Sequence, residues 1–350
     1  MSNLRGLEDV HMCVQKSLNN ELSQIVSGAK NQEHHDILLA AFQRAKLWPA
    51  DKKELTIQFC TTSDYTIQGQ PLPPQQPLQW TPLQILGLQN NSLAKKIQGS
   101  TDYPNAVKTV LIEWLQPIIP FKLNFVESGG EIRVGFVAGK GSWSLVGTDC
   151  LRSEPNELTM NFGWADVATF VHEFGHVLGL IHEHQNPRGA PIEWNLPVLY
   201  KWAAVTQGWD QQTTYSNIVM KYSLDSINGS DYDPKSIMLY FFPGKLCFRG
   251  DNLDPGSRVP CPPGENEVNF TKNGVGTSIN SLLSPTDIEW IKKVYPGGTG
   301  PNPPTSQPTG SDGGKPIEVR ISLPNIKKHP IFMVVIILLV IFILLIILKM

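Results

Sequence analysis

The chain is short of cysteine, of charge and of any basic excess. Five cysteines (Cys13, Cys60, Cys150, Cys247 and Cys261) among 350 residues are few and odd in number, which argues against a disulfide scaffold. No CxxC pair is present, so a cysteine zinc ribbon is excluded. Cys247 and Cys261 flank a Gly/Pro-rich stretch and would close a loop in an oxidising compartment; free thiols are the alternative. Lys+Arg 29 against Asp+Glu 31 leaves a net charge of -2, without the basic stripe that nucleic-acid binding needs. Charged residues are 17% of the chain, below the usual quarter. No apolar stretch follows Met1–Val10, so no secretory signal is expected.

What the chain does have is helical and strand spacing in its first half. Leu7, Val10, Val14, Leu18, Leu22 and Ile25 predict a helix over Leu7–Val26, with Gly28 as its stop. A second is predicted from about His35 to Trp48, ended by Pro49. Leu55–Cys60, Phe121–Val126, Ile132–Val137, Ser142–Val146 and Leu158–Phe162 read as strands. Asn105–Leu115 and Ala165–Leu178 read as helices, the latter stopped at Gly179. Ser284 and Pro285 supply an N-cap and first position for a last helix, Thr286–Val294. Strands followed by one strong helix and an irregular second half predict an α+β fold.

The chemistry sits inside Ala165–Leu178. His172-Glu173-Phe174-Gly175-His176 places two imidazoles at i and i+4, about 40° apart around the helix axis, so both leave one face. That geometry suits two ligands on one tetrahedral zinc, Zn2+. Glu173 can reach an attacking water without being a ligand itself. Gly179 can turn the chain so that His182 swings back as a third nitrogen ligand. Three protein ligands leave a position open, the mark of a catalytic zinc. H-E-x-x-H alone arises by chance in roughly one chain in a hundred; Gly179 and His182 at fixed offsets cut that about a thousandfold further.

The eleven residues H172-E-F-G-H-V-L-G-L-I-H182 resemble the metzincin zinc endopeptidase pattern H-E-x-x-H-x-x-G-x-x-H, and Ser236-Ile237-Met238-Leu239-Tyr240 resembles the Met-turn of that group. The continuation into Glu183 and the S-I-M-x-Y turn look most like the astacin branch, as do Gly141–Asp149 and Thr159–Trp164. Leu239 stands where astacins usually carry a histidine, and His184-Gln185-Asn186-Pro187 replaces their R-x-D-R continuation. The resemblance covers roughly residues 35–295. It implies a zincin-like catalytic domain, with a mixed twisted sheet, an active-site helix and an irregular C-terminal subdomain. It also implies a zinc endopeptidase acting on extended polypeptides. Glu173 would be the general base, Met238 an apolar floor beneath the histidines, and Tyr240 a donor to the oxyanion. Glu183 would contact a mature N-terminus, with a solvated carboxylate or one standing behind the ligands as the alternative; residues 1–34 could be a helical pro-segment, or equally a helix packed on the domain. His184 is read as a surface residue or one standing behind the ligands. A catalytically inactive binding protein on the same fold is the alternative, and such a relic would be expected to lose the glutamate first.

Residues 296–330 begin with a Gly/Pro/Ser-rich stretch and read as a tether, so the catalytic domain should end near Tyr295. Ile331–Leu348 is an unbroken apolar run, about 27 Å long as a helix and enough to cross a hydrocarbon core. A C-terminal, single-pass tail anchor in membrane lipid is therefore expected. Lys327, Lys328 and His329 before it, against Lys349 after it, put the protease domain on the cytoplasmic side. Astacin-like enzymes usually act outside cells, and a viral or virion membrane would reconcile the two.

Overall fold

A computed structural model describes residues 14–16, 46–188, 192–222, 231–242, 246, 279–298 and 300–305. Its strands are β1 (Val14–Lys16), β2 (Glu54–Phe59), β3 (Thr66–Ile67), β4 (Gln70–Pro71), β5 (Lys122–Val126), β6 (Ile132–Gly135), β7 (Trp143–Leu145) and β8 (Met160–Asn161). Its helices are α1 (Ser92–Ile97), α2 (Tyr103–Val110), α3 (Val167–Val177), α4 (Leu196–Thr206), α5 (Gln211–Thr214) and α6 (Pro285–Val294). Six strands form one mixed sheet in the order β1-β7-β8-β6-β2-β5, in which only the β7–β8 pair is antiparallel.

Leu55 and Ile57 of β2 are fully buried on either side of the more exposed Thr56, the period-two spacing of a strand face in the core; Gln58, on the other face, is buried too. Leu55 and Ile57 share one apolar cluster with Val107 of α2 and Phe170 and Val171 of α3. The rings of Phe162, just past β8, and Phe170 meet edge to face at 4.8 Å, a favoured aromatic geometry. Asp102 and Asp166 cap α2 and α3 by accepting the backbone N–H three residues on. Every α3 side chain from Thr169 to Val177 is buried, as expected of a helix enclosed on all sides.

The end of α3 is tied down by residues far away in the chain. Gly179 has φ +86, which glycine adopts without a Cβ penalty, and Leu180 N–H then returns to the Gly175 carbonyl at 2.9 Å. The helix's last carbonyls would otherwise lack partners. Trp48 Nε1–H donates to Val177 O at 2.7 Å, and Tyr295 Oη–H donates to Leu178 O at 3.0 Å. Lys46, just before Trp48, is buried in an ion pair with Asp149 at 2.6 Å.

Three expectations change. Val14–Lys16, inside the expected helix over Leu7–Val26 and the helical segment 1–34, is a strand running parallel to β7, with Val14 opposite Trp143 and Lys16 opposite Leu145. The backbone donors and acceptors on that edge of β7 override local helical spacing; the rest of residues 1–45 lies outside the described residues. Of the second expected helix only Lys46–Trp48 is described, and it is turn and coil. Compact structure also continues past Tyr295: Gly300 N–H bonds Pro117 O at 2.9 Å, and Pro303 is buried. Missing side chains at Gly298 and Gly300 let that backbone lie against residues 117–119.

Cys60 and Cys150 are free, buried thiols whose pKa burial pushes up to about 12; Cys13, Cys247 and Cys261 lie outside the described residues. The chain divides into residues 1–306 and 307–350. The second unit, with most of the expected tether and the run at 331–348, is outside the described residues. Among the described residues no helix is long and apolar enough to cross a membrane.

Candidate metal centre

α3 carries His172 and His176 one turn apart, and the Gly179 turn brings His182 back beside them. The three ring centroids lie 4.9, 5.5 and 4.7 Å apart, and one nitrogen from each falls within 4.8 Å of the others. All three side chains are buried.

Two of the rings have their tautomer set by backbone. His172 Nδ1–H donates to Ile237 O at 2.8 Å, and His176 Nδ1–H to Leu180 O at 2.9 Å. Each Nε2 is then a bare lone pair. His172 Nε2 is buried with no hydrogen-bond partner, and His176 Nε2 stands 3.0 Å from His182 Nε2. Burial pushes the His172 pKa down to about 4 and holds His176 and His182 well below the usual imidazole range, helped by the neighbouring imidazoles. Neutral imidazole nitrogens converging on one point fit a single zinc ion, the cation whose three-ligand sites are built this way.

Glu173 is fully buried beside His172. Met238 is buried under the same helix turn: a Cβ placed on Gly175 would stand 2.6 Å from Met238 Sδ. Gly175 therefore lets the turn at 236–240 approach the helix. Tyr240 lies with its ring 4.1 Å from His182 and 5.7 Å from His172. The five residues singled out for chemistry and Met238 thus come together.

Two further neighbours complete the surroundings. Glu183 Oε1 accepts Asn186 Nδ2–H at 2.9 Å and Asp233 N–H at 2.7 Å, so its described partners are internal. Burial pushes its pKa up to about 8. His184, expected at the surface or behind the ligands, is buried behind them; its ring stacks on Tyr240 at 4.9 Å, and Nε2 bonds Asn217 O at 3.1 Å. No helix is predicted from the sequence at α4, although Asn195 and Pro197 at its start and the spacing of Leu199, Trp202 and Ala203 are signs of one. Its residues join Tyr240, Phe242 and Leu246 in a second apolar cluster beside the centre.

β7, which pairs with β8 on its inner side, packs against α3. Its outer side is occupied by β1. Asn161 steadies the approach to β7 by donating to Gly141 O at 2.6 Å and Val137 O at 3.2 Å.

The family model for Astacin (Peptidase family M12A) matches residues 116–244. Among solved structures the chain is similar to myroilysin, with 30% identity and a TM-score of 0.50 over 73% of this chain and 97% of that one. It is also similar to high choriolytic enzyme 1, a hatching enzyme zinc-protease from the medaka fish Oryzias latipes. There the identity is 16% and the TM-score 0.39, over 72% of this chain and 94% of that one. No curated protein sequence matches the chain significantly.

Proposed function

The chain belongs to the astacin family and is a zinc metalloendopeptidase, and from that premise we propose that Glu173 and Tyr240 are the side chains that act on the peptide bond. His172, His176 and His182 hold the zinc, which when bound supplies Lewis acidity, polarising a carbonyl and making water nucleophilic near neutral pH. The Glu173 carboxylate takes the proton of the attacking water and passes it to the leaving amine nitrogen. The Tyr240 hydroxyl donates a hydrogen bond to the oxygen that becomes negative as the carbonyl is attacked. The observation that carries this reading is the burial of Glu173 beside His172, on the helix that presents two of the three ligands. Glu173→Gln should keep its zinc and lose at least about a hundredfold in peptide hydrolysis. Equal activity in variant and wild type, on a peptide library with metal content matched, would overturn it.

The substrate is an extended polypeptide that adds to β7 as an antiparallel strand, since an open sheet edge offers unpaired backbone groups. β1 holds that edge in the opposite direction, which supports an N-terminal segment that keeps the enzyme latent until it is displaced. The apolar run Ile331–Leu348, with Lys327, Lys328 and His329 before it, anchors the enzyme in a membrane with the catalytic domain on the cytoplasmic side.

A further inference from the structure

Asp287 is the third residue of α6 and half of a capping box. Ser284 Oγ accepts Asp287 N–H at 2.9 Å, and Asp287 Oδ2 accepts Ser284 N–H at 2.9 Å. A capping carboxylate needs no more than that, and can do it at the surface. Asp287 is instead buried and takes two further donors, both from the turn beneath the metal centre. Its Oδ1 accepts Ser236 Oγ–H at 2.7 Å, and its Oδ2 accepts Ile237 N–H at 2.9 Å. Ser236 Oγ in turn accepts Met238 N–H at 3.0 Å. Asn280, just upstream of α6, donates to the carbonyls of Pro234 at 3.0 Å and Ser236 at 2.8 Å.

The residue gripped most directly is Ile237, whose carbonyl accepts the His172 Nδ1–H. The turn at 236–240 has no helix or ladder of its own to fix its peptides. Without the carboxylate, the buried Ile237 N–H and Ser236 hydroxyl would lose their acceptor, and the turn would shift to find another. Any such shift moves the carbonyl that sets the tautomer and plane of His172. Burying the carboxylate is unfavourable: burial pushes its pKa up to about 6, and Asp233 adds repulsion. A fold that needed only a helix cap would not require that cost.

We infer that Asp287 is a positioning residue for the metal centre: through Ser236 and Ile237 it fixes the carbonyl that orients His172. The inference rests on the reading of His172 as a zinc ligand. It lies outside the stretch matched by the family model and outside the metal motif itself. Groups that bond a metal ligand directly typically change metal affinity tenfold to a hundredfold when removed; here that group is the Ile237 carbonyl, and Asp287 stands one bond behind it.

The test uses the full chain in mild detergent, with zinc affinity measured by competition against a chromophoric chelator. Melting temperature, kcat and KM at saturating zinc are measured alongside. Asp287→Asn, one bond behind the group that touches His172, should bind zinc several-fold to about tenfold more weakly and show a lower kcat with KM unchanged. Ser284→Ala, which removes only the side-chain cap of the same helix, should lower the melting temperature and keep wild-type zinc affinity and kcat. A drop in melting temperature alone for Asp287→Asn, or equal zinc loss in Ser284→Ala, would overturn the inference. Should Asp287→Asn fail to fold, Ser236→Ala, which removes one arm, should show the same pattern in weaker form; wild-type zinc affinity and kcat there would overturn it equally. His172→Ala separates the two readings: if it retains full zinc affinity, the ligand assignment fails instead.

Discussion

At the scale of single residues, the centre depends on one missing side chain and one buried charge. Gly175 has no room for a Cβ because Met238 Sδ would stand 2.6 Å from it, and Met238 is itself fully buried. Gly175→Ala should destabilise the fold by about 1–3 kcal/mol, the usual cost of forcing volume into a closed core, and loosen zinc with it. Unchanged melting and chelator competition would show that Met238 can give way. Asp287 governs a pH effect. Its pKa rises from 3.8 to about 6 on folding, by burial first, with Asp233 and Glu183 as the facing carboxylates. Between those values the unfolded chain has already released a proton that the folded chain keeps, so stability falls as pH rises through the window. In the metal-free protein, wild type should lose up to about 3 kcal/mol relative to Asp287→Asn from pH 4 to 6. Parallel stability curves for the two would contradict this.

Among the elements, β1 is the one that local sequence misrepresents. The spacing Leu7, Val10, Val14 and Leu18 is helical, yet residues 14–16 pair with β7 because a sheet edge offers backbone partners that no side-chain pattern encodes. If that strand blocks the substrate edge, a chain starting near Asn31 should cleave peptides several-fold faster than the full chain, measured per mole of bound zinc. Equal specific activity would remove the latency proposal. α3 was legible almost in full, since its motif and its Gly179 stop are local signals. The start of α6 was equally plain from Ser284 and Pro285. What α6 holds was not: Ser236, Ile237 and Leu178 lie far away in sequence, and contacts of that range leave no periodic trace. α4 escaped because its residues are apolar on most sides, so no single face stands out, and it lies in a half of the chain otherwise rich in turn formers.

For the molecule as a whole, the sequence foretold the class of fold and three ligands converging on one ion, but set the end of the compact part too early. The hydrogen bond from Gly300 to Pro117 is invisible in a stretch whose composition reads as linker. The apolar run at 331–348 remains a proposal with a direct check. On cell lysis the full chain should sediment with membranes and be released by detergent, not by high salt. In sealed vesicles with the cytoplasmic face outward, an added protease should digest the catalytic domain without detergent. A domain shielded until detergent is added, with sugar on an N-x-S/T site (Asn90, Asn228 or Asn269), would reverse the orientation. Recovery in the soluble fraction would remove the anchor.

The placement of α6 bears on how the enzyme is made. One end of this helix grips the turn beneath the histidines, and Tyr295, just past the other, closes the last turn of α3. Leu178 and Tyr295 are separated by 117 positions, a stretch that takes on the order of ten seconds to synthesise. A ribosome therefore releases the metal motif well before it releases the brace. During that interval the nascent polypeptide carries all three histidines and the glutamate, but not the carboxylate that braces the partner of His172. Chains abandoned partway through translation would bear the full protease signature without the brace, and would hold zinc more weakly than the finished enzyme.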